Sequence, residues 1–149
     1  MKKLLISTLF FGLCSVQAYA DYIPQQKSVS AQAAQYSTMG IQDLIRAAKS
    51  GQAGAQFYLA TRYQAGKDIQ KDVKEAFTWF KAAADQGISS AQLNVGRMYA
   101  DGIGVSKSET SARQYFEKAA SHGDNRASFN LAVMEEQKKN YMGAYQWYE

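Results

Sequence analysis

Residues 91–123 repeat residues 55–87 at an interval of 36, with no gap. Ala55-Gln56 returns as Ala91-Gln92, Tyr63 and Gly66 as Tyr99 and Gly102, and Trp79-Phe80 as Tyr115-Phe116. Ala83-Ala84 and Gly87 return as Ala119-Ala120 and Gly123. This period constrains the fold more than composition does. One unit is too small to bury its own apolar face, so successive units must stack and share a continuous core. Such an array points to a binding scaffold and away from an enzyme.

Within a unit, Ala55, Leu59, Ala60 and Tyr63 recur at three- and four-residue steps and share one face of a first helix, the A helix. Gly66 and Gly102 follow closely and can close that helix in the left-handed conformation. Asp72 then caps a second, B helix, and Glu75 completes a capping box; Ser108 is the equivalent cap of the next unit. Val73, Ala76, Phe77, Phe80, Ala83 and Ala84 form the amphipathic stripe of the B helix. Its alanines let helices approach closely while an aromatic ring fills the gap to the next unit. The expected class is all-α, a superhelical solenoid of antiparallel helix hairpins.

The array has irregular ends. Residues 41–51 align with the end of a B helix, Leu44 with Phe80 and Ala47-Ala48 with Ala83-Ala84. Residues 40–52 are therefore expected to form a lone capping helix, followed by repeats at 53–88 and 89–124 and an atypical partial repeat at 125–149. In that last unit Glu135 stands at the tyrosine position, Lys138 at the glycine position, and four residues are missing before the B helix resumes at Asn140. The end carries Tyr145, Trp147 and Tyr148 with no following unit. The sequence is expected to be part of a longer repeat protein, the alternative being that this aromatic end packs on a partner.

The unit A-Q-x-x-(L/V)-(G/A)-x-x-Y-x-x-G, a loop, then A-x-x-(W/Y)-F-x-x-A-A-x-x-G resembles the Sel-one-like repeat (SLR), a branch of the tetratricopeptide superfamily. Ala55, Leu59, Tyr63, Gly66, Ala76, Trp79, Ala83, Ala84 and Gly87 carry the resemblance in one copy. Ala91, Gly96, Tyr99, Gly102, Gly104, Val105, Ala112, Tyr115, Ala119, Ala120 and Gly123 carry it in the next. The loop G-x-G-V is present at Gly102–Val105, whereas the first unit has Asp68 in place of its second glycine and the third has lost the loop. The resemblance implies a right-handed superhelix with a concave surface, and an adaptor that holds peptides or proteins, including envelope signalling proteins or host proteins. Many exported members staple each hairpin with a cysteine pair, which this chain cannot do.

The first twenty residues read as an export signal: Lys2-Lys3, an apolar run from Leu4 to Leu13, and the cleavage motif Ala18-Tyr19-Ala20. A mature chain starting at Asp21 is expected, periplasmic or secreted, with residues 21–39 as a flexible leader rich in Gln, Ser and Ala. Removal of the signal takes away the single cysteine, Cys14, and with it any disulfide. It also removes two of the seventeen basic residues, leaving fifteen against thirteen acidic ones, a net charge of +2. That surplus is too small to indicate a nucleic-acid partner. The run is too short to span a bilayer, so no stable membrane insertion is expected once the signal is gone.

Stepping about 100° per residue along the A helix places positions 4, 7 and 11, counted from its alanine, away from the packed arc. In a tetratricopeptide-like stack these line the concave side: Tyr58, Thr61 and Ala65, then Asn94, Arg97 and Asp101, then Asn130, Val133 and Gln137. Tyr58, Thr61, Asn94, Arg97 and Asn130 are the candidate partner-binding set, with amides suited to a peptide backbone and a guanidinium suited to a carboxylate. No catalytic residues, metal ligands or cofactors are expected. His122, the sole histidine, falls at a helix C-terminus, and one histidine without cysteine assembles neither a metal site nor a Cys–His nucleophile. The expected function is an exported non-enzymatic adaptor; the alternative is a small-ligand binder or a hydrolase of cell-wall or β-lactam compounds. Turnover of such substrates by pure protein separates the two: the adaptor reading expects none, and activity abolished by His122→Ala overturns it.

Overall fold

The structure, a computed structural model, describes residues 32–148. The chain divides into residues 1–38 and 39–149. Of the first unit, residues 32–38 are helical, a short helical stretch inside the expected leader. The expected signal peptide and the leader up to residue 31 lie outside the described residues. The second unit contains helices α1 (Ile41–Lys49), α2 (Ala53–Ala65), α3 (Val73–Asp85), α4 (Ser89–Asp101), α5 (Glu109–Ser121), α6 (Asn125–Gln137) and α7 (Tyr141–Tyr148). No strand occurs among the described residues. The main helix contacts all join consecutive helices. The order is a cap, α1, then three hairpins in which α2, α4 and α6 are A helices and α3, α5 and α7 are B helices.

The packed arc of every A helix is buried. Ala55, Ala91 and Ala127 are fully covered, as are Leu59, Val95 and Leu131 four residues on. Phe80 and Phe116, at equivalent positions of α3 and α5, are 1% and 2% exposed, and Leu44 fills the same place on α1. Phe80 clusters with Ala60, Ala91 and Val95, and Phe116 with Leu93, Ala127 and Leu131. Each B-helix phenylalanine thus joins its own hairpin to the next. Tyr63 and Tyr99 are half-buried against the same core.

Polar links repeat with the same period. Gln56 Nε2 donates to the Ala48 carbonyl at 3.3 Å, and Gln92 Nε2 to the Ala84 carbonyl at 3.2 Å. Gln86 Nε2 donates to Gln56 Oε1 at 2.8 Å. Its counterpart His122 holds Nδ1 at 3.3 Å from Gln92 Oε1 and 2.8 Å from the Lys118 carbonyl. Both partners are acceptors, which assigns the proton to Nδ1. The third unit has Ser128 where the first two have a glutamine.

The turns follow the expected chemistry with one correction. Gly66 and Gly102 end α2 and α4 at φ 71° and 70°. Asp72 accepts from the Lys74 and Glu75 amides at 2.9 and 3.1 Å, and Ser108 from the Ser111 amide at 3.2 Å. The capping box does not close through Glu75, because the Asp72 amide donates to the Tyr63 carbonyl at 3.0 Å, as Ser108 does to Tyr99 at 2.9 Å. The second loop glycine is explained by its neighbour: a Cβ on Gly104 would overlap the Val73 carbonyl oxygen of the preceding hairpin, and its φ is 73°. Asp68 holds the equivalent place at φ 60° and pairs with the buried Arg62. The helix before it, α1, begins at Ile41, the counterpart of Phe77, and so lacks the turn that Val73 opens.

The third hairpin forms despite its lost loop. Lys139 takes the left-handed conformation at φ 59°, and Asn140 Oδ1 caps α7 by accepting from the Gly143 amide at 3.1 Å. Glu135, at the tyrosine position, meets Arg113, which stands at the Phe77 position. Between the first and second hairpins the same two positions hold the edge-to-face pair Phe77–Tyr99, 5.3 Å between ring centres. An aromatic pair in one seam is an ion pair in the next.

Two thermal or denaturant-unfolding predictions follow from these contacts. Gly104→Ala should lose about 2 kcal/mol or more through overlap and left-handed strain. Glu135→Ala should cost about 1 kcal/mol by removing the ion pair across the seam and leaving Arg113 to Glu117 alone, and the exchange Arg113→Phe with Glu135→Tyr should recover most of that loss.

Candidate functional site

The side of α4 and α6 turned from the core frames a cleft of about 440 Å³. Arg97 and Asp101 of α4 face Asn130, Val133 and Gln137 of α6, with Lys107 and Glu109 at one end. These are positions 7 and 11 of the second A helix and 4, 7 and 11 of the third. The helical step that buries Ala91 and Val95 turns Arg97 outward, and the one that buries Ala127 and Leu131 brings Asn130 to the facing wall. Ala112, Phe116 and Met134 supply an apolar floor.

The cleft opens where the third hairpin is shorter. In the second hairpin the loop at Gly104 lies against Val73 at the start of the preceding B helix. Glu109 is the counterpart of Val73, and the four-residue deletion leaves no such loop above it. In its place Lys138 reaches Glu109 Oε1 at 2.5 Å, and this ammonium holds the Glu109 carboxyl below the usual carboxylate range. The bridge lies on the surface and adds little stability.

The charge of the cleft is mixed. Arg97 is exposed and its guanidinium has no hydrogen-bond or ion-pair partner among the described residues. Asp101 and Gln137 are likewise exposed. Asn130 Nδ2 donates to the Arg126 carbonyl at 2.8 Å, which leaves its amide oxygen toward a ligand.

Of the five candidate binding residues, Arg97 and Asn130 line this cleft and Asn94, Tyr58 and Thr61 do not. Asn94 is half-buried on α4, one turn before Arg97. Tyr58 is half-buried, its ring 5.4 Å edge-on to Phe57, and the Thr61 hydroxyl donates to the Phe57 carbonyl of its own helix at 3.0 Å. Sequence reasoning missed Lys107 and Glu109; the four missing residues after Gln137 were the signal for them. Position 3 of the three A helices holds Phe57, Leu93 and Phe129, apolar in every unit. Leu93 is buried and Phe57 packs edge-on to Phe80 at 5.6 Å, but Phe129 is 57% exposed, its ring centre 6.0 Å from that of Tyr148. His122 is not among the lining residues. No group of three or more His, Cys, Asp or Glu side chains able to hold a metal occurs among the described residues, and no described helix is long and apolar enough to cross a membrane.

The Sel1 repeat profile matches residues 53–88, 89–124 and 126–149. Among solved structures, a Sel1 repeat protein from Oxalobacter formigenes is 37% identical over 66% of this chain and 39% of its own, with a TM-score of 0.64. The protein c5321, a protective antigen present in uropathogenic Escherichia coli strains and displaying an SLR fold, is 26% identical over 83% of this chain and 31% of its own, with a TM-score of 0.72. The chain thus spans less than half the length of either structure. No curated protein sequence matches it significantly.

Proposed function

The chain belongs to the Sel1 repeat family, and from that premise we propose that it is an exported adaptor which holds an extended segment of a partner protein in the cleft between α4 and α6. Proteins with this fold generally serve as scaffolds for protein–protein interaction and are typically non-enzymatic. The observation that carries the finer reading is the Arg97–Asn130 pairing of facing walls over an apolar floor. An extended peptide offers backbone amides to Asn130 and Gln137, a carboxylate to Arg97 and an apolar side chain to the floor at Phe116 and Met134.

Export is supported by the three-part signal at residues 1–20. The likeness to a protective antigen of a pathogen favours a place outside the cytoplasm, periplasmic or secreted. A role beside envelope signalling or host proteins is what the resemblance to the repeat family implies.

The test is binding of the partner that co-purifies from an envelope fraction, measured for Arg97→Ala with Asn130→Ala, one residue from each wall of the cleft. The double variant, folded by circular dichroism, should bind about tenfold more weakly or worse, in line with loss of a charge-assisted contact. Unchanged affinity removes the cleft from consideration.

A further inference from the structure

The charged groups of the cleft fall into two kinds. Glu109 is already paired: Lys138 bonds to it, and the field of Lys107 adds to the effect that holds its carboxyl below the usual carboxylate range. Arg97 and Asp101 also line the cleft, are both exposed, and have no hydrogen-bond or ion-pair partner among the described residues. They stand four residues apart on α4 and do not bridge to each other. The cation precedes the acid, which is the weaker order for a pair along a helix. Asp101 is moreover the last residue of α4, where a carboxylate meets the negative end of the helix dipole, and no basic residue lies in that last turn. Its counterparts Ala65 and Gln137 carry no charge. Nothing in the folding of α4 calls for this carboxylate.

The spacing of the two charges selects a ligand. Four residues of a helix advance about 6 Å along its axis. Two residues of an extended strand advance about 6.6 Å and return the side chain to the same side. An extended segment laid along α4 therefore brings its side chains i and i+2 to Arg97 and Asp101 together. The side chain between them turns the other way, toward α6, where the half-buried Val133 and the buried Met134 line the cleft. The leader of this chain contains no such segment, because its only charged residues, Asp21 and Lys27, are six apart.

We propose, on the reading of this cleft as a peptide site, that its preferred occupant is an extended segment of a partner protein in which an acidic and a basic residue flank one apolar residue. The acid meets Arg97, the base meets Asp101, and the apolar side chain rests against Val133. The pattern is the same in either chain direction.

The probes are capped peptides Gly-Ser-Glu-Leu-Lys-Ser-Gly and three relatives with Glu-Leu-Glu, Lys-Leu-Lys or Leu-Glu-Lys at the centre. The last keeps both charges but turns them to opposite sides of an extended segment. Each is titrated into the isotope-labelled chain and followed by the amide resonances of Arg97, Asp101 and Val133. Glu-Leu-Lys should bind about fivefold more tightly than the other three, the scale of two exposed ion pairs. Asp101→Arg should turn the preference to Glu-Leu-Glu, and Arg97→Glu should turn it to Lys-Leu-Lys. Equal binding by all four peptides leaves the cleft as a peptide site and overturns the charge pattern. Preference of the unaltered chain for Glu-Leu-Glu overturns it in favour of a wholly acidic segment. No shift with any peptide at millimolar concentration also overturns it, and the cleft is then judged separately by the co-purified partner and Arg97→Ala with Asn130→Ala.

Discussion

The contact between each B helix and the A helix that follows it is the one on which the rest of the structure depends. Helices of 13 residues, such as α2, α3 and α4, are marginal by themselves in water. They persist because Phe80 and Phe116 each bury a ring between two hairpins and because alanines at 55, 91 and 127 let the backbones close on it. Gly96 shows how close this packing is: a Cβ there would come within 2.6 Å of the Phe116 ring. The glutamine links are secondary. They satisfy carbonyls near helix ends and fix the axial register, but the apolar seam supplies most of the driving force.

Departures from the repeat are where surfaces arise. The third hairpin loses its loop, and a cleft opens above Glu109. It replaces Phe–Tyr by Arg113–Glu135, keeping the seam closed with charge. Its own B helix presents Tyr141, Tyr145 and Tyr148 where the first hairpin has the half-buried Val73 and Phe77 and the buried Phe80. Thus one hairpin, built to the same plan, contributes a wall of the proposed peptide cleft.

The fold was legible in the sequence because a repeat is read twice. Every pair of equivalent residues confirms the face of the other, which placed Ala55, Leu59 and Tyr63, the caps Asp72 and Ser108, and a lone helix within 40–52. Side-chain competition was not legible. Glu75 had the spacing for a capping box, yet a carbonyl from the previous helix, that of Tyr63, takes the amide first. Gly104 read as one glycine of the G-x-G-V loop, while its need for space against Val73 depends on the neighbouring hairpin.

The candidate site was legible in part for the same reason. Helical geometry alone put Arg97, Asp101, Asn130, Val133 and Gln137 on the open side. It gave no hint that Thr61 turns its hydroxyl back to its own helix or that the deletion opens a cleft between the second and third hairpins. Gln56 and Gln92 recur in the repeat beside the alanine, and their burial followed from the arc; their partners across the seam did not.

Residue-resolved native-state hydrogen exchange tests the central claim most directly, because stability supplied by neighbours must grade along the stack. Amides of α3, α4 and α5 should show the highest protection, falling toward α1 at one end and α7 at the other. Protection in α7 equal to that in α4, or hairpins opening independently with no gradient, would contradict the seam as the source of stability.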